Sequence, residues 1–324
     1  TGTTVEPFGR LDRDSSLRSR VLKLCRLGPG DIWEDPLRGH RVGVFDAAER
    51  GHVVKIVEGL KPSLIVNDPP YNIPSGGINT RNLSKRSLDE YIEFSRKWVS
   101  NCLGVSSKDA HLYIWLGFDY KDGFQPLPDF IILMRGFSSL KPRNIITLRN
   151  QRGYGTQKNW MWVRQELLHY VRGNPFFSPV YTDIPKILRG YYKNVKGTRT
   201  ENIERSKADT IRPGNVWVDI QQVFYRMEEN VPGCYAQKPL KAVERIITSS
   251  SREGDVVMDC FAHSGTMLLA GERTGRRVIT FDIDPVFAEL SIRRLERFRK
   301  TGKTGWQWRT PFPELETTRT VQDP

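Results

Sequence analysis

Leu64-Ile65-Val66-Asn67-Asp68-Pro69-Pro70-Tyr71 decides the reading of the fold, because an apolar run stops there at a stiff, charged corner. Lys61-Pro62-Ser63 bounds the run on one side and the Pro-Pro pair on the other, the pattern of a short buried strand. Proline holds φ at about −65° and donates no backbone hydrogen bond, and it pushes the residue before it out of the helical region. A carboxylate, a free carbonyl and an aromatic ring are therefore presented rigidly at the carboxyl end of a strand. In an open α/β sheet that is the end at which ligands bind. The plainer alternative is a Pro-rich turn with Tyr71 packed on the core.

A second stretch supplies complementary chemistry. Asp255-Val256-Val257-Met258-Asp259 reads as a strand, Cys260-Phe261-Ala262-His263-Ser264-Gly265-Thr266 as a turn, and Met267 to Arg273 as a helix. Arg277-Val278-Ile279-Thr280-Phe281 is a further strand, ending in Asp282-Ile283-Asp284-Pro285. Glycine in a strand-to-helix turn lets backbone approach a ligand, and the helix start offers unpaired amide N–H groups. An acid closing the next strand suits both hydroxyls of a ribose, and in nucleotide folds it lies about 20 residues beyond the loop. Asp282 lies 17 beyond Gly265. Just upstream, Gln237-Lys238-Pro239 precedes the helical pattern Leu240, Val243, Ile246, Ile247.

Asp68-Pro69-Pro70-Tyr71 followed by Asn72-Ile73 resembles the catalytic motif of the S-adenosylmethionine-dependent DNA amino-methyltransferases. Catalytic motif first, cofactor loop last and Gln-Lys-Pro just before that loop resemble the permuted β-class of these enzymes, adenine-N6 type. The likeness runs from about residue 55 to about residue 298. It implies an α/β fold: a Rossmann-like methyltransferase sheet with helices on both faces, circularly permuted motif order and an inserted target-recognition segment. It implies that Asp68, Pro69, Pro70 and Tyr71 are catalytic. It places S-adenosyl-L-methionine against Asp259, Phe261, Ala262, His263, Ser264, Gly265, Thr266 and Asp282, with Gln237 and Lys238 contributing. Duplex DNA with one base flipped is the implied partner. A homodimer, a separately acting cognate restriction endonuclease and a prokaryotic cytoplasmic location rest on the resemblance alone.

Two positions depart from the family pattern. The cofactor loop of relatives reads Phe-x-Gly-x-Gly, and His263 stands at the first glycine. Either the backbone there needs positive φ and His is strained, or the loop is reshaped around an ordinary residue; the second reading is preferred. Cys234-Tyr235-Ala236 stands where relatives tend to have His-Pro-Thr, which leaves contacts at those positions open.

At 324 residues, 38% hydrophobic and 27% charged, the composition is that of a globular chain of one large or two small domains. No run approaches 18 apolar residues, so no membrane span is expected, and the first thirty residues lack the apolar core of a secretory signal. Cys25, Cys102, Cys234 and Cys260 form no C-x-x-C pair, which suits reduced thiols. The five histidines do not cluster with them, and no metal site is expected. Lys300-Thr301-Gly302-Lys303-Thr304 is not a phosphate loop, because Arg297 stands where that motif needs glycine.

The net charge of +13 is unevenly spread. Residues 135–215 hold 16 Lys and Arg against 5 Asp and Glu, so this segment carries +11 of the total. Trp160, Trp162, Phe176, Phe177, Tyr181, Tyr191 and Tyr192 are interleaved among them. Basic residues there would neutralise phosphates and release counterions. Any single one reads equally well as a solvated surface charge; the segment as a whole points to nucleic acid.

Residues 1–40 are expected to form an arm with a short helix near Leu17 to Leu24, either wrapped on the core or partly mobile. Residues 41–172 and 216–300 form the catalytic domain, 173–215 the target-recognition insertion with room for one helix, and 301–324 a loosely held tail. Expected strands are 41–45, 111–116, 144–148 and 167–171; expected helices are 47–60 and 87–103. The Gly, Ser and Asn-rich stretch 73–82 reads as a mobile loop near the site.

By resemblance, the Asp68 carboxylate and the Pro69 carbonyl accept the two hydrogens of an exocyclic amine, and Tyr71 stacks on the base. Phe261 and Gly265 line the cofactor pocket and Asp282 binds its ribose; Asp259 meets the methionine end or orders the loop, and Asp284 starts the next helix. No cysteine has an activating neighbour in sequence, and none is required. Asp in the first motif position favours adenine over cytosine-N4. RNA methylation, or a cofactor-free DNA-binding relative with His263 as its sequence support, are the remaining alternatives. A nicotinamide dehydrogenase is disfavoured because no G-x-G-x-x-G follows an early strand.

Overall fold

The computed structural model describes residues 8–70, 87–117, 125–154, 157–158, 160–185, 192–201 and 208–317. Tyr71 and the loop expected at 73–82 lie outside them. One nine-stranded sheet organises the described chain, in the spatial order β1-β2-β11-β10-β3-β4-β6-β5-β9. In sequence these are β1 (Ile32–Glu34), β2 (Arg41–Val44), β3 (Leu64–Asn67), β4 (Ala110–Leu116), β5 (Leu140–Tyr154), β6 (Trp162–Arg172), β9 (Val216–Trp217), β10 (Val256–Asp259) and β11 (Arg277–Asp282). Strands β2, β11, β10, β3 and β4 run parallel, while β1, against β2, and β6, against β4, run antiparallel. A separate hairpin pairs β7 (Tyr192–Val195) with β8 (Thr198–Glu201).

The central strands are apolar on both sides because helices cover both faces. Leu64 and Val66 point into one core with α5 (Leu240–Ser250), α6 (Thr266–Arg273) and α7 (Pro285–Thr301). Ile65 points into the other, with α2 (Arg50–Val57), α3 (Leu88–Val105) and α4 (Pro126–Arg135). Alternation along a single strand thus feeds two cores. Helix α3 starts where Ser87 and Glu90 form a capping box, each side chain accepting the other's backbone N–H.

Several expectations of detail are corrected. Helix α2 is shorter than 47–60, because Glu58 at φ 45° and Gly59 at φ 79° end it in left-handed conformation. Strands β5 and β6 far exceed 144–148 and 167–171 and form one long antiparallel ribbon. The insertion holds the β7–β8 hairpin, with no helix among its described residues. The segment expected to be an arm adds β1 to the sheet, and its α1 (Ser15–Leu22) packs on the body. The tail is not loose as far as residue 317: Trp306 and Phe312 are buried with Leu11, Val21 and Leu290. Apolar side chains at both ends of the described chain close over the outer side of α7.

Candidate active site

The two motif strands are neighbours. β3 and β10 pair in parallel, Leu64 opposite Val257 and Ile65 opposite Met258, so their carboxyl ends open on the same edge. From β10 the chain crosses to β11 on one side, and from β3 to β4 on the other. The direction of winding reverses between them, which leaves a crevice at the ends of the strands. Asn67 locks this junction: buried at the last position of β3, it accepts from the Cys260 N–H at 2.9 Å, and its amide reaches Cys102 Sγ at 3.5 Å.

The crevice is a narrow cleft between Asp68 and Val66 on one side and Asp259 and Phe261 to Ser264 on the other. Trp115 at the end of β4 and Lys238 close it. Asp68 is half-buried and Pro69 buried. Asp68 Oδ2 lies 2.9 Å from Lys238 Nζ, which itself sits 5.5 Å from the centre of the Trp115 ring. Lys238 is thus held at the Asp68–Pro69 corner by a carboxylate and an aromatic face.

The turn after β10 is built by carboxylates that accept backbone N–H groups. Asp259 accepts from the Phe261 N–H at 2.9 Å, which orders the first bend. Asp282 Oδ2 accepts from the His263 N–H at 3.0 Å and its Oδ1 from the Asp284 N–H at 3.0 Å. Asp284 caps α7 through the Val286 N–H and pairs with Arg18, so it starts that helix as expected. Burial pushes the Asp282 carboxyl up to about 7, helped by the neighbouring Asp284 charge. Asp259 is held well above the usual carboxylate range by burial, with the Asp68 and Asp282 charges adding to it. The edge is therefore acidic and starved of water.

His263 is left-handed, at φ 43°. The preferred reading of an ordinary loop residue is overturned: the backbone does take the glycine-like conformation, because the Asp282 carboxylate grips its N–H. The ring lies 4.9 Å from that of Phe287, and burial pushes its imidazole down to about 4. Gly265, at φ 71°, has a packing reason as well, since a Cβ there would come within 2.7 Å of Ser291 Cα. The Phe261 ring meets Trp98 edge-on at 5.5 Å.

Gln237 is buried beneath the cleft without lining it. Its oxygen accepts from the Val231 N–H at 3.0 Å and its amide donates to the Glu229 carbonyl at 2.8 Å. Arg294, fully buried on α7, was not singled out by sequence. It donates to the Ser264, Glu229 and Thr304 carbonyls and to the Thr266 hydroxyl, at 2.7–3.1 Å. Burial pushes this guanidinium down to about 10. It ties the turn to the segment that carries Lys238. Among the described residues no cluster of His, Cys, Asp or Glu is arranged to hold a metal ion, and no helix is long and apolar enough to cross a membrane.

A mixed sheet with a parallel core and a crevice between two acidic strand ends defines an α/β protein of the Rossmann-like type. The chain belongs to the N6/N4 methyltransferase, or DNA methylase, family, which it matches over residues 63–293. It is 28% identical to the type II methyltransferase M.HpaI of Haemophilus parainfluenzae over 76% of this chain and 72% of that one. It is also 28% identical to the DNA adenine methyltransferase YhdJ of Escherichia coli (strain K12), over 75% of this chain and 79% of the other. In three dimensions it resembles the PvuII DNA methyltransferase (cytosine-N4-specific) with a TM-score of 0.56, 15% identity, and coverage of 78% and 84%. That last likeness concerns the fold.

Proposed function

We propose that this protein transfers a methyl group from S-adenosyl-L-methionine to the N6 amine of an adenine flipped out of duplex DNA. The observation that carries the reading is the adjacency of Asp68 and the Asp259–Thr266 turn at one edge of the sheet. The residues present fit this cofactor. A desolvated cleft with three carboxylates at or beside it suits a cationic sulfonium and an ammonium. Asp282, half-buried at the end of β11, suits a ribose diol, and Phe261, Ala262 and His263 would flank the adenosine. The cofactor, when bound, supplies an electrophilic methyl group.

The protein's own contribution is preorganisation. An exocyclic amine is a weak nucleophile because its lone pair is delocalised into the ring. The Asp68 carboxylate and the Pro69 carbonyl, aimed at its two hydrogens, favour a pyramidal nitrogen and stabilise the positive charge that develops there. Pro69 and Pro70 fix both acceptors before substrate arrives. Asp68 is also the group placed to take the proton that the nitrogen sheds. Tyr71 completes the proposal as the stacking partner of the base. The target atom is hidden in a stacked duplex, so the base is extruded at a cost of a few kcal/mol.

The order of the strands supports the β-class assignment, since the catalytic strand β3 precedes the cofactor strand β10 in sequence. The type II names among the relatives support a separate cognate restriction endonuclease and an intracellular place of work beside DNA. The basic excess supports target recognition by residues 173–215 together with the strands before them. Expression in a host without methylation of its own, followed by mass analysis of nucleosides, tests the reading. N6-methyladenine is expected from the wild type and none from Asp68→Ala, which keeps its affinity for S-adenosylmethionine. N4-methylcytosine alone would overturn the choice of base, and equal losses of cofactor affinity and rate would overturn the role of Asp68.

A further inference from the structure

A chain of hydrogen bonds runs from helix α1, outside the motif strands, to the carboxylate that ends β11. Arg18 Nη1 donates to Asp284 Oδ2 at 2.5 Å and Nη2 to Oδ1 at 2.8 Å, a bidentate pair closed across 266 residues of sequence. The Asp284 side chain is 1% exposed and that of Arg18 16%. Asp284 also accepts from the Val286 N–H at 3.0 Å, which favours its ionised form. Its own N–H donates to Asp282 Oδ1 at 3.0 Å.

The N-terminal segment does not need this pair in order to dock. Leu11 and Val21 are buried with Val286, Leu290 and Phe312. Arg26 donates to Glu289 and Glu296 further along α7. Arg18 instead meets a carboxylate two residues from Asp282. Two neighbouring acids each disfavour the other's charge, and a cation bonded to one relieves both. Burial and the Asp284 charge hold Asp282 at about 7.

The other groups around these acids are accounted for. Strand β2 presents Val44 and Phe45 beside Asp282, which carry no charge. Burial pushes His263 down to about 4 and holds the Cys234 thiol above its usual range. Asp259 adds a further acid from the neighbouring turn. Beside Arg18, Glu289 is paired with Arg26 and Arg293, and burial pushes the Cys25 thiol up to about 12.

We propose that Arg18 is a positioning residue for the cofactor's ribose: by neutralising Asp284 it holds the Asp282–Asp284 turn with the single net negative charge that a ribose diol needs. This rests on the methyltransferase reading above, which puts the ribose at Asp282. Without Arg18 the Asp284 charge acts on Asp282 unopposed, and Asp282 keeps its proton to higher pH. An opposite charge in contact with a carboxylate moves its titration by about 1–3 pH units, and Arg18 acts at one remove, so a shift of about one unit is expected.

Calorimetric titration with S-adenosylmethionine from pH 6 to 9 compares wild type, Arg18→Met, Arg18→Lys and Asp284→Asn. The wild-type affinity should rise through about pH 7. In Arg18→Met the rise should come about one unit later, so that affinity is about tenfold weaker at pH 6 and within twofold of wild type at pH 9. Arg18→Lys should restore the wild-type midpoint, and Asp284→Asn should move it down. A merely structural role would instead weaken binding by the same factor at every pH, and that result overturns the proposal. So does an Arg18→Met profile that coincides with the wild type, or a wild-type affinity that is flat with pH; in both cases the cofactor reading stands. A wild type without S-adenosylmethionine affinity at any pH overturns both.

Discussion

Lys238 Nζ stands 2.9 Å from Asp68 Oδ2, with the Trp115 ring on its other side. The Gln-Lys-Pro segment therefore reaches across the cleft to the Asp68–Pro69 corner. It meets the carboxylate proposed above as the acceptor of an amine hydrogen. A half-buried carboxylate without a fixed partner samples several rotamers, and the Lys238 ammonium selects one of them. The Lys238 carbonyl accepts from the Thr266 hydroxyl at 3.3 Å, and Arg294 donates to that hydroxyl at 3.0 Å.

Lys238→Met keeps the volume of the stem and removes the charge. Its kcat is expected to fall by about 10²-fold, the size of effect that follows a small misplacement of a catalytic group. Cofactor Kd should move much less, because Lys238 acts through Asp68. Single-turnover transfer and calorimetric titration with S-adenosylmethionine separate the two. A cofactor Kd raised as much as kcat is lowered would make Lys238 a cofactor ligand and not a positioning residue.

The left-handed His263 gives a second expectation. The αL conformation costs an L-residue about 1–2 kcal/mol, least for Gly and modestly for Asn, most for a β-branched side chain. His263→Gly and His263→Asn should lie within about 1 kcal/mol of the wild type, the loss of the Phe287 contact offsetting the relief of strain. His263→Val should be destabilised by about 2 kcal/mol or more. Urea denaturation of the four proteins checks this, and equal midpoints for the Val and Gly variants would mean that the turn does not need positive φ.

The strands that carry the motifs were legible because each is a short apolar run ended by an acid and a turn residue. Two runs of that kind fixed the sheet type before any pairing was known. The ribbon was underread because Lys141, Arg143 and Asn144, all exposed, interrupt the apolar pattern where β5 begins. Helix α4 was missed although Leu127, Phe130, Leu133 and Met134 repeat at helical spacing, a signal that was available. Asn67 and Arg294 left none. Their partners lie 193 and 30 residues away in the Cys260–Asn67 and Arg294–Ser264 bonds, and nothing local distinguishes an asparagine that bridges two turns from one on the surface.

The acidic edge makes cofactor binding depend on pH in a direction that can be worked out. Burial and Asp284 raise Asp282 to about 7 from an ordinary value of 3.8. The folded chain then holds this proton more tightly than the unfolded chain. Between about pH 4 and 7 the contribution of Asp282 to stability falls as pH rises. A ribose diol donates its hydrogens to the ionised form, so binding draws the proton off. S-adenosylmethionine affinity should increase as pH rises through about 7 and then level, and below that point binding should release protons. Asp282→Asn should flatten this rise and weaken binding by about 10- to 100-fold at pH 8, since hydrogen bonds to a charged acceptor contribute roughly 1.5–3 kcal/mol. Asp259 is raised too, but it closes β10 and orders the bend through the Phe261 N–H, away from the end of β11, so it should shift the curve without abolishing it. Calorimetry at several pH values, in buffers of different ionisation enthalpy, reads affinity and proton release together. An affinity that falls from pH 6 to 8 in the wild type would remove Asp282 from the ribose site.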